Sequence, residues 1–178
     1  MFVLHGSSRS NGNTEQLTHI MLEGINVEEV YLRNHTIQPI TDQRHDAEGF
    51  QPIDDDYEGI IQRMLEHDTI VFATPLYWYG MSGYMKNFVD RWSQSLRDAS
   101  LHFKERMQGK KIYVVIVGGD NPKLKALPLI AQFQYIFDFV GASFEGYMIG
   151  SANAPGEIVN DKEAMEKVKI YNHTFKQK

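Results

Sequence analysis

Short apolar runs alternate along this chain with longer stretches in which apolar residues recur every three or four positions. The runs at residues 1–5, 27–32, 69–74, 111–117 and 143–149 read as strands, and the amphipathic stretch after each reads as a helix. After the first run, Leu17, Ile20, Met21 and Gly24 share one face, with Asn13 as the expected N-cap. Ile60, Ile61, Met64 and Leu65 stripe the second helix, where Asp55 and Glu58 predict a capping box. Met85, Phe88, Val89 and Trp92 stripe the third. Leu129, Phe133, Ile136, Phe137 and Val140 stripe the fourth, which Gly141 is expected to end in a left-handed turn. The fifth, around Ala164, Met165, Val168 and Tyr171, reads as short and polar.

Strict alternation of strand and helix predicts an α/β domain, because right-handed crossovers between parallel strands place helices on both faces of the sheet. The runs FVL, TIVFA and IYVVIV are continuously apolar, as strands buried on both faces are, whereas VEEVYL and SFEGYMI carry charge and suit edges. Strands one, three and four are therefore interior. The expected architecture is a three-layer sandwich around a five-stranded parallel sheet of order 2-1-3-4-5. Its winding reverses between strands one and three, so a ligand is expected outside their carboxyl ends.

Composition narrows the classes. A chain of 178 residues buries about 70% of its unfolded surface in one core, which predicts a single domain over residues 1–178. With no cysteine, disulfides, a cysteine nucleophile, iron–sulfur clusters and thiolate zinc sites are excluded, and a reducing cytoplasm fits. The longest clean apolar run, residues 112–117, is too short to cross a bilayer, and strand-like residues begin at Met1 with no leader before them. No membrane partner is expected. Eighteen basic against twenty-three acidic residues give a net charge of -5, which repels polyanions, so nucleic acid is not expected either.

Three loops carry the candidate chemistry. The first, Gly6-Ser7-Ser8-Arg9-Ser10-Asn11-Gly12-Asn13-Thr14, leads into a helix whose free N–H groups and partial positive charge suit a phosphate. It lacks the lysine of a nucleotide-hydrolase loop, so a phosphate monoester fits better than a triphosphate. Such loops are also simply good turn formers. The second, Pro75-Leu76-Tyr77-Trp78-Tyr79-Gly80, sets three aromatic side chains in a row, a wall for a planar ring or a plug for the sheet end. The third places Gly118 and Gly119 after strand four, where backbone N–H groups can approach a ligand edge.

Together these loops resemble the NADPH-dependent FMN reductase group. The first loop is similar to its FMN phosphate loop. The stretch from Pro75 to Arg91, PLYWYGMSGYMKNFVDR, resembles the second signature of that group and of its iron–sulfur flavoprotein relatives. The likeness covers roughly residues 1 to 120. It implies a flavodoxin-like fold, FMN as cofactor, and electron transfer from NAD(P)H to a small-molecule acceptor such as a quinone, nitro or azo compound, metal ion or free flavin. By the same likeness Ser8, Ser10, Asn13 and Thr14 contact the phosphate, with Arg9 and Gly12 in the same loop. Pro75, Leu76, Tyr77, Trp78 and Tyr79 lie against the isoalloxazine, and Gly118 and Gly119 meet its pyrimidine edge. A homodimer or dimer of dimers, with a flavin pocket completed by a second subunit, is also implied. Where iron–sulfur flavoproteins carry a compact cysteine motif, this chain has Pro39-Ile40-Thr41-Asp42-Gln43-Arg44-His45, so the cluster is absent. The alternative is a flavodoxin that hands single electrons to a protein partner without being an enzyme.

Other residues have plainer readings. Residues 34–51 form a long connection expected to act as a lid or partner surface, and Asp42, His45, Asp46 and Glu48 within it are too scattered for a metal site. His5 ends the first strand and reads as structural, Asp54-Asp55-Asp56 as charge compensation at a helix start, and Lys86 with Asp90 as an i,i+4 pair. Arg9 can meet either the FMN phosphate or a nicotinamide cofactor. Receiver domains share the expected topology but need acids where this chain has Gly6, Ser7 and Thr74.

Overall fold

The computed structural model describes residues 1–177. In chain order the elements are β1 (Phe2–His5), α1 (Asn13–Met21), β2 (Glu28–Tyr31), α2 (Tyr57–Leu65), β3 (Thr69–Pro75), α3 (Gly83–Asp90), α4 (Trp92–Ser95), α5 (Phe103–Met107), β4 (Lys111–Gly118), α6 (Pro122–Lys125), α7 (Leu127–Val140), β5 (Ser143–Ser151) and α8 (Lys162–Lys176). The five strands form one parallel sheet of order β2-β1-β3-β4-β5. Charge does keep β2 and β5 at the edges, as the pattern predicts. Between Ile112 and Tyr113 the pairing of β4 with β5 shifts by one residue, so that Ile112 faces Phe144 and Tyr113 faces Gly146. This bulge takes up Glu145 without turning the buried end of β5 away from the core.

The central strands are apolar on both sides because each side is covered. Phe2, Leu4, Ile70, Phe72, Ile112, Val114 and Ile116 pack with Ile60, Met64, Phe88, Phe133 and Phe137 from α2, α3 and α7. The alternate residues, Val3, Val71, Ala73, Tyr113, Val115 and Val117, pack with Leu17, Met21, Val168 and Phe175 from α1 and α8. Gly141, at φ 75°, closes α7 in the left-handed conformation. No helix among the described residues is long and apolar enough to cross a membrane.

Several local expectations are corrected. Gly12, not Asn13, is the N-cap of α1, and it supplies no side-chain cap. Gly24 lies beyond that helix at φ 75°. The capping box at α2 does not form. Asp55 accepts from the N–H of Tyr57 at 3.0 Å, but it also accepts from the N–H of Gln38 at 2.9 Å and pairs with Arg91 at 2.6 Å. Arg91 is itself buried and lies 4.5 Å over the Tyr57 ring. Bonds from Arg91, Gln38 and Tyr57 outweigh burial, the largest opposing influence, and hold the Asp55 carboxyl below its usual range. Trp92 opens the separate α4 instead of extending α3, and Ile130 is buried with the core face of α7. The fifth predicted helix is not short: α8 runs 15 residues, anchored by Ala164, Val168 and Phe175 with Met165 and Tyr171 partly buried beside them. The third stripe keeps its buried Met85, Phe88 and Val89, and Lys86 bonds Asp90 at 2.6 Å as expected.

Candidate functional site

Three loops meet outside the carboxyl ends of β1, β3 and β4. One cavity of about 250 Å³ is lined by Ser7, Arg9, Gly12, Asn13, Thr14, Pro75, Leu76, Tyr77, Gly118 and Gly119, together with Ala152, Asn153 and Pro155. A second of about 450 Å³ adjoins it through Leu76, Gly119 and Asn153 and is rimmed by Trp78, Tyr79 and Asp120. The result is one cleft with a hydroxyl-lined and an aromatic end.

At the hydroxyl end the first turn of α1 has no capping side chain, and among the described residues the N–H groups of Gly12, Asn13, Thr14 and Glu15 find no acceptor. They are free to bind an anion. Ser7 folds the loop by accepting from the N–H of Arg9 at 3.2 Å and donating to its carbonyl at 3.1 Å. Thr14 is largely buried yet lines the cavity. The Asn13 side chain faces elsewhere: its Nδ2 donates to the Ala154 carbonyl at 2.9 Å and its Oδ1 accepts from Ile158 N–H at 3.3 Å. It fastens the loop after β5 and leaves one Nδ2 hydrogen uncommitted among the described residues. Ser8 and Ser10 are exposed and lie outside the cavity lining. The Ser8 hydroxyl instead lies 3.2 Å from that of Tyr77, tying the first loop to the second.

The aromatic loop is a tight reversal in which Tyr77 and Gly80 exchange both backbone hydrogen bonds at 3.0 Å. Trp78 and Tyr79 sit at its tip with φ of 48° and 64°. That region suits glycine and asparagine and costs other L-residues about 1–2 kcal/mol each. Trp78 is 94% exposed, so it plugs nothing, whereas Tyr79 donates to Asp120 at 2.9 Å. Lys125 pairs with Asp120 too and lies 5.4 Å over the Tyr79 ring. The Lys125 bond first, and then Tyr79, lower the Asp120 pKa. Strain of this kind persists only where surrounding contacts over-determine it. Trp78→Asn is expected to raise stability by roughly 0.5–1 kcal/mol, read as a higher thermal midpoint. An unchanged or lower midpoint would show that the turn is not strained.

At the third loop the glycines are needed for room. A Cβ on Gly118 would stand 3.0 Å from Leu76 Cβ, and one on Gly119 would stand 2.9 Å from Asn153 Oδ1. The segment after β5 was not legible as part of the site. Glu157 accepts from the N–H groups of Asn153 and Ala154 at 3.0 and 2.8 Å, and Asp161 from that of Ser151 at 2.8 Å. Three side chains with Asn13 among them thus fix that segment against the cleft, and only long-range contacts reveal it.

His5 lies behind the first loop and does not line the cleft. Its buried ring stacks on Tyr31 with centroids 4.4 Å apart, and its Nε2 bonds Glu29 at 2.7 Å, joined there by His19 and Tyr31. His5, His19 and Glu29 offer ligand atoms within 4.8 Å of one another. A metal on Nε2 would force the His5 proton onto Nδ1, which is buried without a partner, whereas ligating histidines normally have one there. A hydrogen-bonded cluster accounts for the group. Burial lowers the His5 pKa below 6.5, against the opposing pull of Glu29. The folded state therefore binds fewer protons than the unfolded chain just below that pH, and stability falls as pH drops from 6.5 toward the lowered value. Thermal midpoints between pH 7.5 and 5 are expected to fall for the native chain and to fall less steeply for His5→Gln; equal slopes would remove His5 as the cause.

Residues 34–51 are not among those that line the two cavities. Their start is pinned to the beginning of α2 by Thr36 N–H to Asp56 at 2.7 Å and by Gln38 N–H to Asp55, and Asp42 pairs locally with Arg44 at 2.7 Å.

The comparisons agree with this geometry. The family model of NADPH-dependent FMN reductases matches residues 1–140. The chain is 51% identical over 164 residues to the NAD(P)H-dependent FMN-containing oxidoreductase YwqN of Bacillus subtilis, covering 92% of this chain and 91% of that protein. It is 30% identical to the iron-sulfur flavoprotein MJ1083 of Methanocaldococcus jannaschii over 92% of this chain and 88% of that one. Among solved structures, the Trp repressor binding protein from Bacillus subtilis superposes with a TM-score of 0.81 at 46% identity, covering 96% of this chain and 98% of its own. A free helix N-terminus, an aromatic turn and a glycine cradle meet at the switch point of a flavodoxin-like sheet, and the chain belongs to the NADPH-dependent FMN reductase family, oxidoreductases that use FMN with NAD(P)H as electron donor.

Proposed function

We propose that residues 1–178 act as one domain that holds an FMN in this cleft and passes electrons from NAD(P)H to a small acceptor: a quinone, a nitro or azo compound, a metal ion or a free flavin. The carrying observation is the cleft itself, with unclaimed N–H groups at one end and aromatic side chains at the other. The N–H groups of Gly12 through Glu15 and the Thr14 hydroxyl bind the phosphate, with Arg9 at the rim. Pro75, Leu76, Tyr77, Trp78 and Tyr79 bound the ring, and Gly118 and Gly119 lie at its edge. Bound FMN supplies the redox chemistry. The chain's own work is to bind and orient, so no residue is assigned as a catalytic acid or base.

We place the enzyme in the cytoplasm, in keeping with its lack of cysteine, and assign it a homodimeric or dimer-of-dimers state. A groove of about 680 Å³ between α3, α4 and α7 supports the assembly, lined by Val89, Leu96, Ile136 and the exposed Tyr135 and Phe139. Apolar surface of that kind marks interfaces, and two-fold pairing is the commonest closed solution. The deciding experiment is steady-state NAD(P)H oxidation by the FMN-loaded protein with a small quinone, run beside light scattering. Sustained turnover is expected. Flavin binding without turnover would favour a single-electron carrier, failure to bind FMN at micromolar concentration would end the proposal, and a scattering mass near 20.5 kDa would refute the dimer.

A further inference from the structure

Asn153 lines both parts of the cleft, which it shares with Leu76 and Gly119. Its backbone is locked: its N–H donates to Glu157, and the next carbonyl, that of Ala154, accepts from Asn13. Its side chain packs over the Gly119 Cα. Among the described residues the carboxamide itself makes no hydrogen bond, so a donor and an acceptor stand side by side on a fastened segment with nothing in the chain to satisfy them. The residue is exposed at the cleft, so both groups are open to solvent or to a ligand.

Resting on the FMN reading above, we infer that Asn153 is a flavin-recognition residue whose carboxamide pairs with the imide edge of the isoalloxazine, Nδ2 donating to O2 and Oδ1 accepting from N3–H. The order of features along the cleft carries this assignment. The phosphate belongs at the Thr14 end and the ring at the Tyr79 end. What lies between them in FMN is the ribityl chain and the part of the pyrimidine ring next to its attachment. Asn153 stands at that junction. A carboxamide offers one donor and one acceptor a fixed distance apart, matching the alternation of carbonyl oxygen and N3–H on an imide. Gly119 has no side chain, which leaves the space that the carboxamide occupies. The ligand selected is therefore a fused-ring imide, and a flavin with N3 blocked is discriminated against. Asn153 positions the ring and holds O2; it moves no proton in the reaction.

The test is a cycle between residue and ligand, read by quenching of flavin fluorescence on titration into apoprotein. FMN and its N3-methyl analogue are each titrated into the native chain, Asn153→Ala and Asn153→Leu, which keeps the packing over Gly119. Two hydrogen bonds of ordinary strength predict about a tenfold or greater loss of FMN affinity for either variant. Methylation at N3 is expected to weaken binding to the native chain by a similar factor and to change the variants little. Asn153→Asp removes the donor and sets a negative charge beside O2, so it is expected to lower the midpoint potential of the bound flavin. Thermal midpoints of the apoproteins should be unchanged, since the side chain makes no bond within the fold. Native-like FMN affinity in Asn153→Leu, or an equal methylation penalty in native chain and variants, would overturn the assignment and leave the FMN reading standing. No FMN binding by the native chain would overturn both.

Discussion

Arg91→Ala is expected to cost about 3–5 kcal/mol of folding stability, the scale of a broken buried ion pair. The side chains of Arg91 and Asp55 are 2% and 1% exposed, and their bond is 2.6 Å long. The guanidinium also donates to Gln94 Oε1 at 2.8 Å and to the Gln38 carbonyl at 3.2 Å. Truncating it leaves a buried carboxylate with only two backbone N–H donors and frees the start of the 34–51 connection. Urea unfolding measures the loss as a lower midpoint at unchanged slope. The paired replacement Asp55→Leu with Arg91→Met is expected to recover most of it, because removing both charges removes the desolvation cost as well. A single-variant loss under about 1 kcal/mol would mean that solvent reaches the pair.

Thr14→Asp is expected to weaken FMN binding by about a thousandfold while leaving riboflavin binding nearly intact. A carboxylate about 4 Å from a phosphate repels it by roughly 4 kcal/mol per unit charge at an effective dielectric near 20, and about 1.4 kcal/mol is a tenfold change. Riboflavin has no phosphate and does not meet this repulsion. The fold itself should tolerate the change, since a carboxylate in the first turn of a helix is favourable by about 0.3–1 kcal/mol. Fluorescence titration with both ligands checks the result. Equal losses would show that Thr14 does not face the phosphate, and no loss for either would remove it from the site.

Much of this molecule is legible in one dimension. Continuous apolar runs at β1, β3 and β4 and charged ones at β2 and β5 follow directly from burial on two faces or one, and that distinction separates interior from edge strands in a way that the order β2-β1-β3-β4-β5 satisfies. The winding then places the cleft. Gly6 to Thr14, Pro75 to Tyr79 and Gly118 with Gly119 announce themselves because a loop before a helix, a run of aromatics after a strand and paired glycines each break the local pattern in a recognisable way.

Several of the assignments that changed depend on partners far along the chain. Asn13 has the residue type of an N-cap, yet its amide is taken by Ala154 and Ile158, 141 and 145 residues away. Asp55 is an apt capping residue until Arg91, 36 residues on, is folded against it. Asn153 is one polar residue in an unremarkable turn, and nothing near it in sequence shows that Glu157, Asn13 and Gly119 bring its amide to the cleft. Periodicity and turn chemistry report on neighbours within about one helical turn or one strand. A short polar side chain with equally good local and distant partners is decided by whichever desolvated group would otherwise go unpaired, and that depends on what the packed sheet and helices bring within hydrogen-bonding reach.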